Sequence, residues 1–201
     1  MATESPARRG SPLAGAALEA FFVVLGVVLA LLANEWRLDV AANRRADRAL
    51  DSITQELRTN REHVQASLAY HQGILQQLAE LRAADGEATL ATFAQGFVKP
   101  AQVLSTAWDA AQATGVVDAM DFALVLAISQ VYADQEQYLV QAREVGGVVY
   151  EYLVTEGLEG MVGNWRNLGT LMNTFQYREA QFLPRYDAVL ADFAARSGSP
   201  K

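Results

Sequence analysis

The chain contains no cysteine among its 201 residues. Disulfide bonds, cysteine-ligated zinc, iron–sulfur clusters and thiol nucleophiles are therefore excluded. A basic surplus is also missing, because 16 Lys and Arg stand against 23 Asp and Glu, giving a net charge of −7. Neutralising phosphates requires a basic surface, so we expect no nucleic-acid partner.

Residues that could carry chemistry are few. The two histidines, His63 and His71, are eight positions apart, and neither has a ligand at the i, i+4 spacing that a zinc-binding helix uses. Gly157 and Gly160 lack the preceding strand and the following Lys of a phosphate-binding loop. No nucleophile-elbow pattern is present. We therefore predict no catalytic residue, no metal site and no cofactor, and a protein that is not an enzyme.

One long apolar run stands out, because the mean hydropathy of the whole chain is only +0.05. Residues 13–33 read LAGAALEAFFVVLGVVLALLA, with Glu19 as the one charged residue. At about 1.5 Å per residue such a helix spans roughly 30 Å, the thickness of the bilayer hydrocarbon. A cleaved signal peptide would place the large Leu31 at the −3 position of a site after Ala33, which disfavours it. We predict a retained single-pass transmembrane helix at residues 13–34; a removed signal and a buried core helix are the alternatives.

The flanks of this run bear on its orientation and its contacts. A stripe of residues predicted to contact another span comprises Glu19, Gly26, Ala30 and Ala33. For Glu19 the alternatives are a position near the headgroups and a role in ion transport. The residues predicted to lie at the membrane interface are Trp36, Arg37, Arg44, Arg45 and Arg48. The positive charge of these arginines favours a cytoplasmic helical domain, although large domains are also exported regardless of charge.

Beyond the apolar run the helical pattern continues, with no Gly or Pro from residue 36 to residue 71. An apolar seam at 3-4 spacing predicts one helix to residue 82, ended by Gly86 as the C-terminal cap. Asn60, Ser67 and His71 interrupt the seam. Its members are Ala46, Leu50, Ile53, Leu57, Asn60, Val64, Ser67, His71, Ile74, Leu78 and Leu81.

Further helices are predicted after this one, and no segment alternates like a strand. They are a short helix at residues 90–97, one starting in a capping box at Thr106, one capped by Asp121, and a last helix rich in aromatic residues. Gly146 and Gly147 would permit a close helix crossing or a bend. We expect an all-α fold in which an antiparallel helical bundle packs on the long helix. The predicted organisation is a flexible tail (1–12), the span (13–34), the juxtamembrane helix (35–82), bundle elements (83–196) and a disordered tail (197–201).

The segment at residues 104–139 is the densest in helix signals around a short loop at Gly115. A tight helix–loop–helix corner of the core explains it. The functional alternative is a surface for a ligand or a partner, with Trp108 as its anchor.

Three segments together resemble a widespread group of small bacterial single-span membrane proteins: residues 19–36 (EAFFVVLGVVLALLANEW), 49–60 (ALDSITQELRTN) and 104–115 (LSTAWDAAQATG). The resemblance implies an anchored helical domain on a bacterial inner membrane, and it carries no activity or functional residues. The layout of one span, a long charged helix and a bundle is also similar to bacterial chemoreceptor sensor modules.

These patterns lead to two expectations about function. The first is a membrane-anchored helical scaffold or accessory subunit, with membrane lipids, further copies of itself or another membrane protein as partners. The second is a sensory or ligand-binding domain that reports across the bilayer.

Overall fold

Helices form all the regular secondary structure of the computed structural model, which describes residues 12–197, with side chains from 19 to 196. The four α-helices are α1 (Pro12–Ala83), α2 (Thr106–Ala113), α3 (Phe122–Gly163) and α4 (Trp165–Ser197). Short 3-10 helices lie at Leu90–Phe93 and Val116–Ala119. No strand occurs in the described range, so the predicted all-α class is confirmed.

The helix α1 is uninterrupted over 72 residues, as the absence of Gly and Pro in its middle predicts. The chain divides into two units at Arg45, and each is described separately below. Apart from Pro12 and Ser197, with which the first and last helices begin and end, the tails predicted at 1–12 and 197–201 lie outside the described residues.

The first unit, up to Arg45, consists of the N-terminal part of α1. From residue 19 to residue 45 no side chain is buried, although most are apolar. An 18-residue window there has a mean hydropathy of 1.8 and is 0% buried. Within the described chain, α1 alone is long and apolar enough to cross a membrane. Because the core helix of a water-soluble protein would be mostly buried, the exposure of this window disfavours that alternative.

The second unit, from Ala46 onward, is a helical bundle with two apolar clusters. The larger cluster joins Ile53 and Leu57 of α1 to Trp108 of α2, Ile128 of α3 and Phe175 of α4. The smaller one joins the C-terminal turns of α1 to Met161 and Trp165. Seam positions predicted from the 3-4 spacing are buried in α1, with Leu50 and Leu81 half-buried at its ends.

The C-terminal cap of α1 differs in detail from the prediction. Asp85 is the residue with left-handed backbone, at φ 53°, whereas Gly86 was expected there. The Gly86 N–H donates to the Leu81 carbonyl over 2.8 Å, which closes the last turn. An Asp tolerates positive φ better than most residues, so the glycine is not needed at that position.

The starts of the next helices largely follow their capping signals. Asp121 accepts a hydrogen bond from the Leu124 N–H (3.0 Å), as predicted for the start of α3. Helix α2 begins at Thr106, but the cap position is Ser105, whose hydroxyl donates to Asp109 over 2.8 Å. The predicted short helix at residues 90–97 is reduced to a single 3-10 turn at Leu90–Phe93.

The bend in α3 lies away from the expected glycine pair. A Cβ built at Gly146 or Gly147 would meet nothing within 4 Å, so no element crosses closely there. Gly157 instead has φ 68° and interrupts the helical backbone. A side chain at that position would be strained, and this requirement explains a glycine in the middle of the helix.

Candidate functional site

Among the described side chains of the second unit, five polar or charged ones are buried, and with Tyr138 they form what we call the buried polar cluster. Its members are Asn60, Ser67, His71, Gln135, Glu179 and Tyr138. Three of them are the interruptions of the α1 seam. Buried polar groups are costly unless they are hydrogen-bonded, so each needs an identified partner.

Much of the cluster binds the backbone of the connecting segment, residues 94–105, which runs between the first 3-10 helix and α2. The Asn60 amide donates to the Leu104 carbonyl (2.7 Å) and its oxygen accepts from the Leu104 N–H (2.8 Å). The Tyr138 hydroxyl accepts from the Ala101 N–H over 2.6 Å. These side chains provide the backbone groups of the connecting segment with the hydrogen-bond partners that a strand or helix would otherwise provide.

Neighbouring side chains of α1 also form hydrogen bonds with the backbone of the connecting segment. The His63 Nδ1–H donates to the Gln102 carbonyl over 2.6 Å, and the Tyr70 hydroxyl donates to the Gly96 carbonyl. In the first turn of α2, the Ala107 N–H donates to Glu56 over 2.9 Å. The main chain of the connecting segment is therefore hydrogen-bonded along α1, while its Ala101 and Val103 side chains are buried in the larger apolar cluster.

His71 and Glu179 form the charged centre of the cluster, and both are 0% exposed. The Lys99 N–H donates to His71 Nε2 (3.3 Å), so that nitrogen carries no proton and Nδ1–H donates to Glu179 Oε2 over 2.9 Å. The Tyr138 hydroxyl donates to Glu179 Oε1 over 2.6 Å. Ser67 Oγ lies 2.6 Å from both the Lys99 carbonyl and Glu179 Oε1.

Burial raises the pKa values of three tyrosine hydroxyls in this region. It raises the pKa of the Tyr138 hydroxyl well above its ordinary value, and the nearby Glu179 raises that pKa further. Burial likewise raises the pKa of Tyr132, whose hydroxyl donates to Glu56 over 2.7 Å. Burial alone raises the pKa of Tyr186. All three hydroxyls therefore stay protonated at neutral pH.

The His71–Glu179 pair does not have the geometry of a catalytic dyad. Ser67 contacts Glu179 and the Lys99 carbonyl, so these residues do not form the Ser–His contact of a nucleophilic triad. A substrate cannot contact either member of the pair while both are fully buried. The arrangement orders the connecting segment instead.

An adjoining surface depression, which we call the polar groove, lies between α2 and α3 with a volume of about 460 Å³. This size suits a metabolite-sized ligand. Its polar and aromatic lining residues are Ser105, Trp108, Asp109, Gln112, Ser129, Tyr132, Gln135, Glu136 and Arg143. Trp108 and Tyr132 stack with ring centroids 5.6 Å apart and form an aromatic wall.

Gln135 links the groove to the buried polar cluster. Its side-chain oxygen accepts from the Asn60 amide over 3.2 Å, which fixes the orientation of the Gln135 amide. Its Nε2 is buried and has no hydrogen-bond partner among the residues that the structure describes. An unsatisfied buried donor typically costs about 1–3 kcal/mol. The position of this donor in the groove wall therefore indicates where an acceptor on a ligand would bind.

The predicted membrane-facing residues lie in exposed positions. Glu19, Gly26, Ala30 and Ala33 are exposed, and no atom would lie within 4 Å of a Cβ at Gly26. The interface residues Trp36, Arg37, Arg44, Arg45 and Arg48 are exposed as well. The span–span contact and the lipid contact stay predictions.

Trp108, the predicted anchor of a partner surface, is 5% exposed and stacks on Tyr132. Its indole is therefore part of a groove wall and does not protrude from the surface. Among the residues the structure describes, no group of three or more His, Asp or Glu side chains is arranged to hold a metal ion.

Glu179 and Tyr138 were missed as site residues. For Glu179 a signal existed, because it is the one charged residue on an α4 stripe that continues through Phe175 and Phe182. Tyr138 gave no comparable signal, since the periodic stripe of α3 runs through Gln135 and Leu139 on either side of it.

No protein-family model, curated protein or solved structure matches this chain.

Proposed function

We propose that this chain is a single-pass protein of a bacterial inner membrane whose helical bundle acts by binding rather than by catalysis. The observation that carries the proposal is the wholly unburied apolar window of α1, with a mean hydropathy of 1.8. Exposing such a surface to water is unfavourable by roughly 25 cal/mol per Å², whereas lipid covers it without cost.

Alkaline carbonate extraction combined with N-terminal sequencing tests the anchor. We expect the chain to stay in the membrane pellet and to retain residues 13–33. A mature chain that begins near Asn34, or that is released by carbonate, would contradict the proposal and favour a cleaved signal peptide.

We propose further that α4 packs antiparallel to both α1 and α3. Two pairs between α1 and α4 support the first relation, Arg61–Asp187 and His71–Glu179, because the residue number rises along one helix as it falls along the other. Asp121–Arg196 supports the second relation together with Tyr138–Glu179.

The absence of native cysteine makes a disulfide test of this packing direct. Arg61→Cys combined with Asp187→Cys should cross-link within one chain. Arg61→Cys combined with Asn167→Cys, which lies near the opposite end of α4, should not. A reversed result would exclude the antiparallel relation.

The first partner we propose is a second copy of this chain. Exposed apolar side chains on the C-terminal half of α3, such as Val148, Val154 and Leu158, support it, as does the predicted small-residue stripe of the span. Single Val154→Cys should cross-link between copies in membranes, whereas Thr174→Cys, at an exposed polar position, should not. Equal cross-linking at both positions would indicate random collision.

We propose that the bundle lies on the cytoplasmic side, because more arginines flank the C-terminal end of the span than its N-terminal end. Phosphatase and fluorescent-protein fusions at the C-terminus test this. Fluorescence without phosphatase activity is expected, and the opposite pattern would place the bundle outside.

A second candidate function, ligand sensing, is favoured by one observation. The polar groove is lined by opposite charges, an aromatic wall and Gln135, whose Nε2 has no acceptor among the described residues. A convergence of polar groups in a groove between helices is typical of a small-molecule site.

A further inference from the structure

The polar groove holds an unpaired set of charges. Arg143 on α3, Glu136 on α3 and Asp109 on α2 all line it. Among the described residues, none of the three forms an ion pair with another of them, although Asp109 accepts a hydrogen bond from Ser105 over 2.8 Å. Charges of both signs in one groove without mutual pairing favour a ligand that also carries both signs.

Gln135 provides a second, independent indication. Its side chain is 3% exposed, lines the groove and carries a donor nitrogen that has no acceptor within the described part of the chain. Because its oxygen is engaged by Asn60, the amide cannot flip to resolve this without losing the bond to Asn60. A hydrogen-bond acceptor on a ligand would satisfy it, and a carboxylate oxygen is the strongest such acceptor.

We propose that the polar groove binds a small zwitterion of the free amino-acid class. The ligand carboxylate faces Arg143 and the Gln135 amide, and its ammonium faces Glu136 and Asp109. Trp108 and Tyr132 provide the apolar wall for the rest of the molecule. Since the Gln135 nitrogen is covered in the structure, binding includes a small shift of the groove wall.

This inference deepens the ligand-sensing candidate and is independent of the membrane anchor. The test uses the full chain in detergent micelles and the individual L-amino acids at millimolar concentration. Thermal unfolding identifies any amino acid that raises the midpoint, and titration calorimetry gives its affinity. Carbonate extraction of the same variants reports on the anchor alone, so failure of one proposal is distinguishable from failure of the other.

Variants of groove residues localise the binding. Arg143→Gln and Glu136→Gln should each weaken binding about tenfold or more, because each removes a charged contact. Gln135→Glu keeps an acceptor for Asn60 but removes the donor, and should weaken binding similarly. Arg58→Gln is the matched control, since Arg58 is exposed and does not line the groove, and its affinity should be unchanged.

Three outcomes would overturn the proposal. One is that no amino acid changes the unfolding midpoint or releases heat. Another is that binding occurs but Arg143→Gln and Arg58→Gln bind equally well, which would place the site elsewhere. A third is that succinate, which has carboxylates and no ammonium, binds as tightly as the best amino acid.

Discussion

The two stretches of α1 reverse the usual relation between polarity and burial. Before residue 46 the helix exposes apolar side chains, with Leu31 63% exposed. After that point it buries polar ones, with Asn60 and His71 at 0%. The difference shows that available partners, and not polarity alone, decide what a helix face buries. Lipid is the proposed partner of the first stretch, and the backbone of the connecting segment is the observed partner of the second.

The largest effect is expected on membrane insertion, when charges are placed in the exposed apolar stretch of α1 before residue 46. Leu25→Arg combined with Val28→Arg places two charges in the proposed span, at a cost of about 5–7 kcal/mol for insertion. The protein should then leave the membrane fraction or be degraded, as measured by fractionation and blotting. Val148→Arg combined with Val154→Arg, on exposed positions of α3, should stay in the membrane. Carbonate-resistant retention of the first variant would contradict the anchor.

The next largest effect is a loss of stability expected on replacing Glu179, which contacts the buried stretch of α1 after residue 46. Glu179→Ala removes the acceptor of both His71 and Tyr138, leaves two buried donors unsatisfied, and should lower the free energy of unfolding by about 2–6 kcal/mol. Urea denaturation in detergent, followed by circular dichroism, measures this. Glu151→Ala, at an exposed position, should change it by less than about 0.5 kcal/mol. Equal losses for the two variants would show that the cluster does not stabilise the bundle.

A smaller and more local effect is expected at Asn60. Asn60→Leu removes both bonds to Leu104 and should cost about 2–3 kcal/mol. Hydrogen exchange at the Leu104 amide should accelerate, whereas the Ala101 amide, held by Tyr138, should keep its protection. Asn60→Asp retains the acceptor and should keep the Leu104 amide protected. Unchanged exchange in Asn60→Leu would mean that the segment is held in another way.

The smallest effect is a change in how the free energy of unfolding depends on pH. The pKa values of Tyr132, Tyr138 and Tyr186 are raised in the folded state above the reference value of 10.0. Below about pH 10 both folded and unfolded states are protonated and stability is complete; above it the unfolded chain loses protons first, so stability falls.

Tyr138→Phe should make that alkaline decline shallower by about 1.4 kcal/mol per pH unit, as measured by urea denaturation between neutral and strongly alkaline pH. Tyr177→Phe, at an exposed position, provides the control. A decline as steep in Tyr138→Phe as in the parent chain would exclude this tyrosine as a contributor.

Much of the fold could be predicted from periodicity alone. The 3-4 spacing identified the buried face of α1 and the aromatic stripe of α4, because apolar burial dominates both. The capping oxygen of Asp121 marked the start of α3 for a similarly local reason. The end of α1 was expected at Gly86, but Asp85 has the left-handed backbone, and the bend that Gly146 would permit lies at Gly157, because a glycine permits unusual geometry without requiring it.

The candidate site was much less predictable. Asn60, Ser67 and His71 were recognisable as interruptions of a seam, but their acceptors and donors lie up to 112 residues away, as for Ser67 and Glu179. Such pairings depend on how the connecting segment folds back, which local sequence does not encode. The unsatisfied Gln135 amide is likewise defined by tertiary packing and not by its neighbours along the chain.

Main-chain recognition of the connecting segment has a consequence for evolution. Exposed positions such as Lys99, Gln102 and Leu104 meet the bundle chiefly through backbone atoms, so many side chains should be tolerated there. The side chains that bind the backbone of the connecting segment should instead tolerate few replacements. Descendants of this protein can thus vary the outward face of that segment, and with it the surface next to the polar groove, without rebuilding the scaffold beneath.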